Sequence, residues 1–158
     1  SSGTLALFRA TTDKIYYPDE DTELSLADIC AAKRPDYLII TLGINGISSM
    51  KEEYFKSEYI KVVNIVKENS PDTKIILQSI YPVAKNYTKI SNSAIREANS
   101  WVVDIAYECQ VKYLDTFSAL VGSDGYLPDD WQNGDGMHLN EAGFAAIMEY
   151  VRLHPYRD

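Results

Sequence analysis

The chain has 158 residues, 46% of them hydrophobic, which fits one globular domain with a core large enough to stand alone. A formal net charge of −8, with no basic run longer than Lys33-Arg34, argues against a nucleic-acid or anionic-lipid surface. Two cysteines without CxxC spacing and two histidines supply no structural zinc set. No apolar run reaches the length of a membrane span, and no secretory leader is visible, although Ser1 need not be the biological start, so the compartment stays open.

In chain order, Thr4 to Ala10 is a short apolar segment, helix or strand, too brief for periodicity to decide. Lys14-Ile15-Tyr16-Tyr17 reads as a short strand stopped by Pro18. The run from Thr22 to Lys33 reads as a helix, with Ser25 and Asp28 spaced like a capping box and Leu26, Ile29 and Cys30 on one face. Tyr37 to Leu42 is continuous and β-rich between Pro35 and Gly43, the pattern of a strand buried on both faces of a parallel sheet. A helix from about Lys51 to Asn69 carries Phe55, Tyr59, Val62, Val63 and Val66 at helical spacing.

A second buried strand runs from Lys74 to Ile80 and closes at Tyr81-Pro82. The helix from about Asn92 to Cys109 has Ile95, Ala98, Val102, Ile105 and Cys109 as its inner stripe. Cys30 and Cys109 thus read as small buried hydrophobes. Val111 to Asp115 is a third strand, Gly122 to Gly136 a loop rich in turn residues, and the last helix is expected to bury Phe144, Ile147, Met148 and Val151. Strands alternating with helices give an α/β fold, a three-layer α/β/α sandwich with a parallel central sheet, whose ligands bind at the carboxyl ends of the strands.

The loop ends in Asn133-Gly134-Asp135-Gly136-Met137-His138-Leu139-Asn140, which places a carboxylate and an imidazole three residues apart on a glycine-rich turn before a helix. A carboxylate so placed can accept the Nδ1 proton, fix the tautomer and leave Nε2 as a general base. Gly134 and Gly136 permit positive φ, and Asn140 is a good N-cap. Residue types alone equally admit a surface histidine beside a solvated aspartate. Tyr126 and Trp131, on the same loop, are candidates for a substrate wall, with plain loop packing as the alternative. Asp129, Asp130 and Asp135 lack the alternating spacing of a calcium loop.

Gly43-x-Asn45 beyond a buried strand and Asp135-x-x-His138 before the last helix resemble, in order and separation, the GxND and DxxH blocks of the SGNH (GDSL-like) hydrolases. The resemblance runs from about Pro35 to Val151 and includes Gln78-Ser79-Ile80-Tyr81-Pro82-Val83, Asn99 and Tyr113-Leu114-Asp115. It implies a serine esterase or acylhydrolase with His138 as general base, Asp135 as its orienter and Asn45 as an oxyanion donor. It also implies an O-acyl, foremost O-acetyl, ester on a carbohydrate or small molecule as substrate, with lipid esters and thioesters left open, and no metal or organic cofactor.

Two departures stand out. Gly46 occupies the position of the family's aspartate, and no Gly-Asp-Ser nucleophile block is present. A central strand missing from the sheet would leave buried backbone groups unpaired. The expectation is therefore that the natural polypeptide extends upstream of Ser1, with Ser1-Ser2-Gly3-Thr4 as the tail of that block and the nucleophile two positions before Ser1. Ser1 itself is the weaker candidate, and the family's second-block glycine is not placed. The competing class is a non-catalytic binding module of the same fold. The absent serine and Gly46 point to it, and the trio Asn45, Asp135 and His138 points away. A phosphate-binding flavodoxin-like domain is disfavoured because no glycine-rich phosphate loop follows a strand.

Overall fold

The structure, a computed structural model, describes residues 14–17, 22–41, 47 and 50–154. Strands β3 (Tyr37–Ile40), β4 (Lys74–Gln78) and β5 (Lys112–Leu114) form an open parallel sheet in the order β3-β4-β5. Leu38 lies opposite Ile75 and Ile40 opposite Leu77, and Leu77 lies opposite Tyr113. The crossovers are the long helices α2 (Glu52–Asn69) and α3 (Asn92–Cys109). This is the α/β parallel-sheet architecture expected from the alternation of strands and helices.

The α2 stripe Phe55, Tyr59, Val62, Val63 and Val66 and the α3 stripe Ile95, Ala98, Val102, Ile105 and Cys109 are all buried. They form one cluster with Ile40, Ile75 and Leu77 from the sheet. Phe55 packs between Tyr59 and Trp101 in tilted pairs, with ring centroids 5.7 and 5.3 Å away. Cys30 and Cys109 are free, buried thiols, and burial pushes the pKa of each upward. Ser91 caps α3 by accepting from the Ala94 amide, and Gln110 closes it in the left-handed conformation.

Three expectations need correction. Thr22–Ser25 is not the start of a helix but strand β2, paired antiparallel with β1 (Lys14–Tyr17), and helix α1 begins at Leu26 and ends at Lys33. The nearby strand supplies a pairing partner that local propensity does not register. β3 is not buried on both faces: Tyr37 is 52% and Ile39 42% exposed, because alternation puts them on the face away from the α2 and α3 cluster.

Helix α5 (Glu141–Leu153) turns Gly143 and Ile147 inward, with Val151 half-buried, while Phe144 and Met148 are 54% and 67% exposed. The inward stripe runs at i, i+4 and i+8 and keeps the expected Ile147 and Val151, but Gly143 takes the inward place expected of Phe144, and Met148 falls outside the stripe.

A second, smaller cluster of Ala84, Leu120, Leu127, Leu139 and Ile147, with Tyr81 and Trp131 against it, lies under the loops that follow the strands. It joins the 79–87 segment, the short helix α4 (Thr116–Leu120), the 3-10 turn Asp129–Trp131 and α5. No helix among the described residues is long and apolar enough to cross a membrane.

Candidate active site

The turn before α5 is held by its own side chains. Oδ1 of Asp135 accepts from the amides of Met137 and His138, both at 2.8 Å, and Oδ2 faces His138 Nδ1 at 2.5 Å. The His138 side chain, followed first by the His138 and Met137 amides, draws the Asp135 carboxyl down to a pKa of about 2. An ionised carboxylate only accepts, so the shared proton belongs to Nδ1, and the neutral ring then presents Nε2 as its acceptor. The His138 side chain is 49% exposed. The arrangement can take a proton from a hydroxyl and stabilise the imidazolium that results.

The backbone path follows from the sequence. Gly134 and Gly136 sit at φ +115° and +80°. A Cβ on Gly136 would lie 2.6 Å from Asn86 Oδ1 and 2.9 Å from Tyr87 Cβ, so the turn seats directly on the 84–87 loop. The Ala84 amide donates to the Gly136 carbonyl at 2.8 Å. Asn140 begins α5: its Oδ1 accepts from the Gly143 amide at 2.9 Å and its Nδ2 donates to the carbonyls of Asp130 and Gln132. Gly143 allows this approach, since a Cβ there would meet the Trp131 carbonyl at 2.5 Å.

Asp135 and His138 are thus brought together. Asn45 lies outside the described residues, as do the expected nucleophile position and residues 1–13. Tyr126 is exposed, with Lys85 Nζ 5.6 Å from its ring centroid and bridged to Asp124 at 3.3 Å. Trp131 is half-buried, packed in part against the smaller cluster. Ser79, on the family-like Gln78 to Val83 stretch, is fully buried; its Oγ accepts from the Phe117 amide at 2.8 Å and pairs with Thr116 Oγ1 at 3.1 Å. It is a structural tie, not a free hydroxyl. No group of three or more metal-ligating side chains occurs among the described residues.

Sequence reasoning missed Gln132, Asn86 and Asn92. Gln132 accepts from the Gly134 and Gly136 amides and donates to Asn86 and Asp129. Asn92 holds Val83 by both its amide and carbonyl, at 2.8 and 2.9 Å, and reaches the Gly125 carbonyl. Asn99, noted only as part of a family likeness, holds Ile80 by its amide and carbonyl in the same way. A signal for the last two was present: asparagines seven residues apart on the apolar stripe of a helix must find partners, because buried polar groups are almost always bonded.

A family model described as the GDSL-like Lipase/Acylhydrolase family matches residues 10–146. No curated protein matches the chain by sequence. Among solved structures, a Streptococcus pneumonia protein named for platelet activating factor shares 26% identity with a TM-score of 0.70, over 77% of this chain and 60% of that one. A G-D-S-L family protein from Desulfitobacterium hafniense DCB-2 shares 25% identity, TM-score 0.62, over 79% and 67%. A peptidoglycan O-acetylesterase shares 17% identity, TM-score 0.65, over 82% and 39%, a likeness of fold alone. The chain therefore spans less than two thirds of the first of these structures.

Proposed function

The chain belongs to the GDSL-like lipase/acylhydrolase family, and from that footing we propose that it carries the general base of a serine esterase. The single observation behind this reading is the Asp135 carboxylate, which grips its own turn with one oxygen and His138 Nδ1 with the other, at 2.5 Å.

In the proposed reaction a serine hydroxyl attacks the ester carbonyl while His138 Nε2 takes its proton. Asp135 steadies the imidazolium, and the Asn45 amide donates to the oxyanion. The tetrahedral intermediate collapses, and His138 returns the proton to the leaving alcohol. Water then attacks the acyl-enzyme by the same route and releases the carboxylic acid. We assign the nucleophile to a serine outside the described residues.

The substrate class proposed is an O-acetyl ester on a carbohydrate. Two features support it: a fold shared with a peptidoglycan O-acetylesterase, and the exposed Tyr126 ring on the loop leading to the turn, a surface suited to stacking on a sugar. A second reading, a ligand-binding module without turnover, draws on Gly46 standing where the family carries aspartate.

Hydrolysis of p-nitrophenyl acetate by the full-length protein, compared with His138→Ala, separates the two. The esterase reading expects a loss of roughly a thousandfold or more in kcat. Equal rates in both proteins would remove the catalytic assignment. A panel of acetylated sugars, short acyl esters and thioesters then ranks the substrate classes by kcat/KM.

A further inference from the structure

We propose that Gln132 is the positioning residue of the Asp135 and His138 turn, a role that rests on the reading of His138 as general base. Five consecutive amides, Gly134 to His138, all point onto side-chain oxygens. Gly134 and Gly136 donate to Gln132 Oε1 at 3.2 and 2.6 Å, Asp135 donates to Asn133 Oδ1 at 3.2 Å, and Met137 and His138 donate to Asp135 Oδ1. These amides belong to no helix or strand ladder, so the path of the turn depends on which side chain receives each one. Gln132 receives the two that belong to glycines, the residues with the widest choice of backbone angles and the greatest need of an external tie.

The other end of the same amide anchors the turn to its surroundings. Gln132 Nε2 donates to Asn86 Oδ1 at 3.1 Å and to Asp129 Oδ1 at 2.9 Å, while Asn86 Nδ2 donates to the Gly134 carbonyl at 3.1 Å. The orientations of both amides are fixed by the chemistry of these neighbours. Oε1 of Gln132 meets two backbone N–H groups, and Nδ2 of Asn86 meets a carbonyl, which turns its Oδ1 toward Gln132.

Gln132 is thus a double acceptor toward the turn and a double donor away from it. Glutamate supplies the acceptors without the donors and would set a carboxylate against two oxygens. Methionine keeps the length without either function, and asparagine is one methylene short.

Three of the four Gln132 side-chain bonds are solvent-exposed and the fourth, from the Gly136 amide, is part-buried. Water can therefore replace its bonds when Gln132 is changed, and global stability has little reason to fall. What is lost is the single shape of the turn, hence the aim of His138 Nε2. A misplacement of about 1 Å can cost a reaction roughly a hundredfold.

The test uses the full-length protein with Gln132→Glu and Gln132→Met. It measures kcat and KM on p-nitrophenyl acetate, the thermal midpoint, and the imidazole nitrogen shifts of His138 by NMR, which report the ring tautomer. The expected result is a fall of roughly tenfold to a hundredfold in kcat with KM and midpoint little changed, together with a shift of His138 away from the Nδ1–H tautomer toward Nε2–H. Unchanged kcat and tautomer in both variants would overturn the proposal. So would a loss of activity that only follows a loss of folded protein. If the wild-type protein shows no esterase activity, the functional reading fails by itself, and the tautomer still decides whether Gln132 positions the ring.

Discussion

At Asp135 one carboxylate is divided between the backbone of its turn and the imidazole of His138, and the division fixes what each substitution removes. Asp135→Asn keeps the size and one accepting oxygen, but its amide nitrogen cannot accept from Nδ1. The proposed reaction should then slow by roughly 10³- to 10⁴-fold in kcat. The shift in Asp135 also sets a pH window. A carboxyl drawn from 3.8 to about 2 on folding adds stability that is complete above its unfolded pKa and fades as pH falls through the folded one. Amide shifts of Met137 and His138, followed in an acid titration, should hold down to about pH 4 and move toward unfolded values as pH approaches about 2. Movement centred well above pH 4 would contradict the assignment. The two glycines beside Asp135 differ in a way sequence cannot express. Both sit at positive φ, so alanine carries a backbone strain of about 1–3 kcal/mol at either. A Cβ on Gly134 meets nothing within 4 Å, whereas one on Gly136 runs into Asn86 and Tyr87. Gly136→Ala should therefore have the lower urea midpoint of the two, and equal midpoints would mean that the turn does not seat on the 84–87 loop.

Among the elements, α3 does more than cover the sheet. Its asparagines Asn92 and Asn99, two turns apart, peg Val83 and Ile80, and the segment they hold donates from Ala84 to the carbonyl of Gly136. The helix thereby sets the floor on which the Asp135 and His138 turn rests. Asn99→Ala would strand the buried amide and carbonyl of Ile80, at a cost of about 2–4 kcal/mol in urea unfolding; a loss below about 0.5 kcal/mol would mean that water reaches those groups. What was legible follows from range. The α2 and α3 stripes could be read because Phe55 to Val66 and Ile95 to Cys109 repeat over many turns. The pairing of Asp135 with His138 could be read because they lie three residues apart. Gln132 meets Asn86 across 46 positions, which no local pattern encodes. The exposed faces of Tyr37, Ile39, Phe144 and Met148 were missed for a related reason. An apolar run tells which residues can be buried, not whether a neighbour covers them.

Among the described residues the buried apolar side chains fall into two clusters, and the division follows the division of labour. The larger cluster locks the sheet to α2 and α3; the smaller one, Ala84, Leu120, Leu127, Leu139 and Ile147, supports the loops that carry Asp135 and His138. A backbone tie joins them, the Leu127 amide of the smaller cluster donating to the carbonyl of Val83 in the larger one at 3.0 Å. A unit with few buried side chains opens at lower free energy than one with many, because it has less apolar area to expose. Leu127→Ala removes one of the larger members of the small cluster, a change that typically costs about 2–5 kcal/mol. If the clusters open separately, native-state hydrogen exchange should show that loss at Ala84, Leu127 and Gly136 and leave the β4 amides at wild-type protection. Phe55→Ala, in the large cluster, should instead lower protection throughout, since the loops have no floor once α3 and the sheet separate. The asymmetry is the informative result: equal loss at β4 in Leu127→Ala would show the two clusters to be one cooperative unit. The site would then be no more mobile than the sheet beneath it.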